Sequence, residues 1–329
     1  MADTFNYRID HHGSLVRPAG LATDGPEALD AAVRDAVAHQ RKLRSTVVTD
    51  GDYPREDFRG AVLGNVSGLR RTAQRTADGL TRWVAQSLPK ANGPLAADWA
   101  ARLAGLTVIA PKVSLPSPAY LAATTFEPGH GPGSARELGD AFAEIVHAEI
   151  ELLVSKGVRL IQLNNPLLLD WPDDSALSYD DALTVETLAV RLDERPEGVR
   201  VGVCPGWAAP AAVDRARLER LYAQVPADRW VLPFDQGTDA ELDLVRALPE
   251  DRDVCLGVVD ATVPALEDVD TVMARIDAAA ELKDIEDMAV SPSRGFADVA
   301  ARPLLTAEDQ RRKLVLVETI ARYCWGNEF

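Results

Sequence analysis

Apolar residues along this chain fall into two patterns that take turns. Short and nearly unbroken apolar runs recur at Ser45–Thr49, Leu106–Val113, Val158–Leu163, Val199–Val203, Trp230–Phe234, Val254–Val259 and Met288–Val290, and Tyr7–Asp10 reads as a further strand ahead of them. Strands buried on both faces of a parallel sheet have this character. Between the runs lie segments of helical periodicity: Pro26–Leu43, Ser134–Lys156, Ala209–Gln224, Val269–Leu282 and Thr306–Tyr323. The last two are preceded or opened by Asp268 and Thr306, residue types that accept hydrogen bonds from the free N–H groups of a first helical turn. About eight strands, most followed by a helix, predict an α/β fold of the (β/α)8 TIM-barrel type, a single domain over residues 1–329. The stretch Glu56–Ala104 is too long for one crossover helix and predicts an elaborated region between the second strand and its helix, with extra helices.

A barrel of this kind places its chemistry at the C-terminal ends of the strands. Those places hold His11-His12-Gly13-Ser14, Asp50-Gly51-Asp52, Lys112 to Pro118, Gln162 to Pro166, Cys204 to Trp207, Asp235, Asp260 to Thr262, and Ser291 to Phe296. Asp50 and Asp52 are two apart, so their side chains share a face and suit either an ammonium or an acid–base division of labour. Arg17 and Arg294 suit a carboxylate or phosphate. His130 lies in the Gly/Pro-rich stretch Glu127–Gly133, expected to cover the mouth and supply an acid or base. Cys204 is either a nucleophile or an inert buried thiol. The candidate catalytic residues are therefore His11, Asp52, His130 and Cys204. The candidate substrate-binding residues are Ser14, Arg17, Asp50, Lys112, Gln162, Asn164, Asn165, Trp207, Asp235 and Arg294.

Composition narrows the function further. The chain has 329 residues and a formal net charge of −16, a balance that argues against binding a nucleic-acid backbone. Its three cysteines, Cys204, Cys255 and Cys324, are too few and too scattered for a disulfide framework, which points to a reducing, cytoplasmic setting. No apolar run approaches the roughly 20 residues that span a bilayer.

In their order, DHHGSLVRP, VVTDGDYPRED, KVSLPSP, SPSRGF and a closing helix ending in CWG resemble the cobalamin-independent methionine synthase family, its C-terminal catalytic barrel and its short stand-alone relatives. The same barrel is shared with uroporphyrinogen decarboxylase. The resemblance implies a zinc ion at the mouth that activates homocysteine as a thiolate for attack on a folate methyl group. It places the zinc ligands on a His-x-Cys pair, a Glu and a Cys. These fall here on Gly202, Cys204, Pro233 and Arg294, so only Cys204 is kept, and Asp235, His11 and His12 are the nearest substitutes. The carboxylate implied to hold the substrate's amino group falls on Asn164, a second one is shortened to Asp52, and the implied catalytic His falls on Thr262. The residues thus predict a divergent enzyme with its zinc site lost and no cofactor, a zinc held by Cys204 with Asp235, His11 or His12 being the alternative. It would act on a small polar molecule by methyl or alkyl transfer, or as a lyase, isomerase or decarboxylase, or else persist as a non-catalytic binding homologue. A small-molecule partner, no nucleic acid, no membrane and a homodimer complete the expectation.

Overall fold

The computed structural model describes residues 6–21, 25–76 and 78–326; residues 1–5, 22–24, 77 and 327–329 lie outside the described residues. In chain order the elements are α1 (Gly25–Lys42), β1 (Val47–Val48), α2 (Gly60–Leu63), β2 (Val66–Arg75), β3 (Thr81–Ala91), α3 (Ala97–Leu106), β4 (Ala110–Pro116), α4 (Pro118–Thr125), α5 (Ala135–Ser155) and β5 (Leu160–Asn164). They continue with α6 (Tyr179–Val190), β6 (Arg200–Cys204), α7 (Arg215–Gln224), β7 (Arg229–Pro233), α8 (Asp239–Arg246), β8 (Asp253–Val259), α9 (Val269–Ala280), β9 (Met288–Pro292) and α10 (Ala307–Trp325).

Seven strands form one parallel sheet in the order β1-β4-β5-β6-β7-β8-β9. The segment Tyr7–Asp10 lies between its two ends. Asp10 N donates to Val290 O at 2.9 Å and Val290 N donates to Arg8 O at 2.8 Å. On the other side, Ile9 N donates to Thr46 Oγ1 and Thr46 Oγ1 donates back to Ile9 O, both at 2.9 Å. A side chain thus stands in for a backbone partner, and the sheet curls into the expected single barrel. The strands are apolar because β4 to β9 are buried almost throughout, between the barrel interior and the helices. Strands β4, β7 and β9 each finish at a proline, Pro116, Pro233 and Pro292, which has no N–H to carry the ladder further into the mouth.

The caps read from the sequence form as predicted. Asp268 accepts from Thr271 N and Thr306 from Asp309 N, and Ser117, Ser134, Ser178, Asp214 and Thr238 cap their helices in the same way. The elaborated region carries the short extra helix α2 and, where further helices are predicted, a pair of strands. Strands β2 and β3 form an antiparallel hairpin, and β3 packs on α4 and α5. Its outward positions are polar, so its apolar residues are too sparse to show a strand period. The following helix α3 is tied to α5 by Glu149, whose carboxylate accepts from Leu95 N, Ala96 N and Ala97 N at 2.9, 2.7 and 2.8 Å. No described helix is long and apolar enough to cross a membrane.

Candidate functional site

Successive side chains on an extended segment face opposite ways, and the two histidines after Asp10 obey this. The His11 ring bonds Ser45 Oγ through Nε2 at 2.9 Å and lies electrostatically close to His39 of α1, behind the barrel wall. His12 faces the mouth instead. Its Nδ1 is 3.5 Å from Gln162 Nε2, and its backbone carbonyl accepts from Ser114 Oγ at 2.5 Å. Burial pushes both imidazoles down, to about 4 for His11 and about 3 for His12, where Lys112 adds to the effect. Both rings are neutral at pH 7. His12, rather than the predicted His11, is therefore the mouth histidine; the Gly-Ser that follows the pair does not reveal which of the two turns inward.

Gly13 adopts a φ of +135°, and a Cβ there would sit 2.8 Å from Ser114 Oγ and 3.1 Å from Asp52 Oδ2. That close approach brings Asp52 to the mouth. Asp52 itself takes a left-handed φ of +56° and is paired with Arg55, which also reaches Asp50 at 3.3 Å. Burial raises the Asp52 carboxyl to about 6, opposed by Arg55 and helped by Asp50. Arg17 donates to the Asp52 carbonyl at 3.0 Å, so it holds the loop backbone.

Along β4 and β5 several predicted ligand contacts are committed within the protein. Lys112 Nζ binds Asp10 Oδ1 at 2.6 Å in the barrel interior, and Arg229 reaches the other carboxylate oxygen at 3.3 Å. Burial disfavours the Asp10 anion, but these two cations outweigh it and its pKa lies below the ordinary value. Gln162 Nε2 donates to Asn164 Oδ1 at 2.7 Å. Asn165 is fully buried; its Nδ2 donates to Ser117 Oγ at 3.0 Å and to Glu186 Oε1 at 2.6 Å. Glu186, on α6, has no counter-charge in this group, and burial raises it to about 7. It was not predicted, because a lone Glu inside an amphipathic helix reads as a surface residue.

The remaining strand ends form a cavity of about 430 Å³ lined by Trp207, Asp235, Asp260, Thr262, Ser293 and Arg294 among others. Arg294 lies 4.0 Å over the Trp207 ring, which in turn meets Phe58 edge-on. Its Nε and Nη2 donate to Asp298 Oδ2 at 2.9 and 2.6 Å, while Ser14 Oγ donates to Asp298 Oδ1 at 2.9 Å. Burial raises the Asp298 pKa against the pull of Arg294. Asp298 was missed in the sequence; its spacing of four from Arg294 is the signal that pairs them. Asp235 borders the cavity with its pKa raised to about 6 by burial. Two larger hollows are lined by other residues: one of about 580 Å³ by the loop after β5 and the first turns of α6 and α7, and one of about 690 Å³ by the starting ends of the strands, with Tyr7 and Ala110.

Cys204 is fully buried and lies in an apolar layer with Val231, Cys255 and Ala289. Its thiol bonds Gly206 O at 3.4 Å, and burial pushes its pKa up to about 12. Of the two sequence readings, this is the inert thiol. His130 is exposed. Its loop follows α4 rather than β4 and backs onto the hairpin, since a Cβ on Gly131 would meet the Gln86 backbone. The donor set fits zinc poorly. A catalytic zinc keeps three protein ligands. Among the described residues no group of three or more His, Cys, Asp or Glu side chains is arranged to hold a metal.

The curled parallel sheet, with polar side chains converging beyond its strand ends, has the barrel fold of the methionine-synthase type. A B12-independent methionine synthase from Shewanella sp. W3-18-1, solved with selenomethionine, superposes with a TM-score of 0.79 at 17% identity over 97% of each chain. A putative vitamin-B12-independent methionine synthase from Listeria monocytogenes gives 0.75 at 19% identity over 98% of each. The chain belongs to the cobalamin-independent synthase family, whose catalytic-domain pattern matches residues 134–308. Two Bacillus subtilis (strain 168) proteins, the uncharacterized YxjH and YxjG, are 26% and 23% identical over 97% of this chain and 95% of their own lengths.

Proposed function

We propose that this barrel is an enzyme that has left the family's zinc chemistry and acts on a small polar substrate at its mouth, by methyl or alkyl transfer or a reaction derived from it. The observation that carries this reading is the Arg294–Asp298 pair, which puts a committed guanidinium at a position where the family resemblance implies a zinc-bound thiolate. A fixed cation there repels a divalent metal, and of the implied ligand positions only Cys204 keeps a donor, too few for a site that needs three.

What the site retains is acid–base chemistry. Asp235 borders the cavity with a pKa of about 6, so it exchanges a proton near neutral pH. In a transfer, its carboxylate takes the acceptor's proton while the acceptor attacks the alkyl carbon and the donor leaves with the bonding pair. Trp207 and Arg294 supply a flat, cationic wall against which the substrate is oriented. The same group also serves a lyase or isomerase by removing a proton as the carboxylate, and a decarboxylase by protonating, as the carboxylic acid, the carbanion left when CO2 departs; none of these needs an alkyl donor.

Metal analysis of the purified full-length chain, beside its Cys204→Ala variant, tests the reading. Zinc well below one equivalent, unaltered by the substitution, is expected; a full equivalent that disappears with Cys204 would overturn it. Asp235→Asn should lower turnover of an identified substrate by roughly a hundredfold or more, the usual worth of a general acid or base.

A further inference from the structure

We propose that the inner end of the mouth recognises an uncharged group with a hydrogen-bond acceptor beside a donor, such as a primary carboxamide, through His12 Nε2 and Gln162 Oε1. This rests on the mouth being the substrate site and specifies what it takes there. Both atoms are buried and lack a hydrogen-bond partner, and their residues are only 6% and 1% exposed. Buried polar atoms are nearly always paired, so two such atoms on linked side chains call for a ligand.

Their roles follow from their neighbours. Gln162 Nε2 donates to Asn164 Oδ1 and faces His12 Nδ1. An acceptor at Nδ1 leaves the proton of the neutral ring on Nε2. His12 therefore offers a donor and Gln162 an acceptor. Turning both amides over exchanges the two roles and still leaves one of each. The ligand group must carry the complementary pair.

The surroundings argue that this group is neutral. Lys112 is held by Asp10, and Arg294 by Asp298. The position where the family resemblance implies a carboxylate for an ammonium is Asn164, which is itself engaged by Gln162. Cys204, Val231, Cys255 and Ala289 form a buried apolar layer in the barrel, which brings no charge to the pair. Arg294 connects this inner pair to the cavity: it lines the cavity and acts electrostatically on both His12 and Cys204.

The test uses the full chain labelled with 15N-histidine and 15N-tryptophan. Of its five histidines, the signal lost in His12→Phe assigns the ring. Acetamide should shift the His12 ring nitrogens saturably, and Gln162→Met should weaken that response about tenfold, the value of one lost hydrogen bond. Acetate and methylammonium should bind more weakly than acetamide. Equal or tighter binding of either ion, or an unweakened response in Gln162→Met, overturns the inference. A probe that shifts the Trp207 indole N–H but leaves the His12 ring unmoved also overturns it, yet keeps the mouth as a ligand site. Silence of both reporters toward all three probes counts against both.

Discussion

Arg294 and Asp298 are joined by two hydrogen bonds, 2.9 and 2.6 Å long, that converge on one carboxylate oxygen. The other oxygen receives Ser14. The Asp298 carboxylate therefore ties the first strand end to the last, across the barrel seam closed by Tyr7–Asp10. Both side chains are mostly buried, at 22% and 13% exposure.

Removing one member leaves the other charge stranded, which is more damaging than removing both. Arg294→Met should destabilise the fold by about 2 kcal/mol at pH 8, less than for a fully enclosed pair because water reaches this one. Adding Asp298→Asn to it should recover part of the loss. Urea denaturation of the two single variants and the double variant measures the coupling; additive effects would mean that the pair contributes nothing as a pair.

Glu186 carries the opposite kind of strain, a buried carboxyl with no cation in its hydrogen-bonded group. Its folded pKa, about 7, lies above the ordinary 4.5. Between those values the unfolded chain ionises Glu186 and the folded chain does not, so stability contributed by this group falls as pH rises from 4.5 to 7. Glu186→Gln keeps an oxygen for Ser117 and Asn165 and removes the ionisation. The variant should exceed the parent by up to about 3 kcal/mol above pH 7, with the gap closing toward pH 4.5. Parallel melting curves at pH 5 and pH 8 check this. A gap that widens toward low pH would contradict it.

The barrel itself could be read from the chain because each strand is a local apolar run and each helix has a local period. Even the cap residues Asp268 and Thr306 act within their own first turns. The hairpin could not, since Val66–Arg75 and Thr81–Ala91 expose most of one face and leave little apolar alternation. The site was legible at the level of loops and less so at the level of atoms. Placing Lys112 and Gln162 within strands and Arg294 just beyond one needs only the strand pattern. Knowing that Lys112 is committed to Asp10, or Asn165 to Glu186, needs partners 102 and 21 residues away. His11 and His12 turn on a one-residue choice of face that the Thr46 side chain settles by replacing a backbone partner of Ile9.

That choice has a consequence for acid stability. The folded pKa values of His11 and His12, about 4 and about 3, lie below the ordinary 6.5. Above pH 6.5 the rings are neutral in both states and contribute no pH dependence. Below it the unfolded chain binds protons that the folded chain refuses. Each ring then lowers stability by about 1.4 kcal/mol per pH unit until it protonates in place. His11→Asn and His12→Asn should each flatten the loss between pH 6 and pH 4.5 by about that slope, whatever they cost at pH 8. Chemical denaturation at several pH values gives the slope directly. A variant whose slope matches the parent would mean that its ring is already protonated in the folded state.

Glycine 295 offers the sharpest steric test of how the last strand end is fitted to the first. A Cβ there would overlap Ser14 Oγ and Asp298 Oδ1, the two atoms that bond across the seam. Neither can withdraw without breaking that bond or the grip of Asp298 on Arg294. Gly295→Ala should therefore cost about 2 kcal/mol or more, in the range of overpacked cores, and should loosen Arg294 from Trp207. Gly105, near the end of α3, is the control: nothing lies within 4 Å of its added Cβ. Gly105→Ala should be neutral or stabilise by up to about 1 kcal/mol through helix propensity. Tryptophan fluorescence and thermal unfolding of both variants separate the outcomes. A Gly295→Ala protein as stable as the parent would show that the two strand ends are not held together through Ser14 and Asp298.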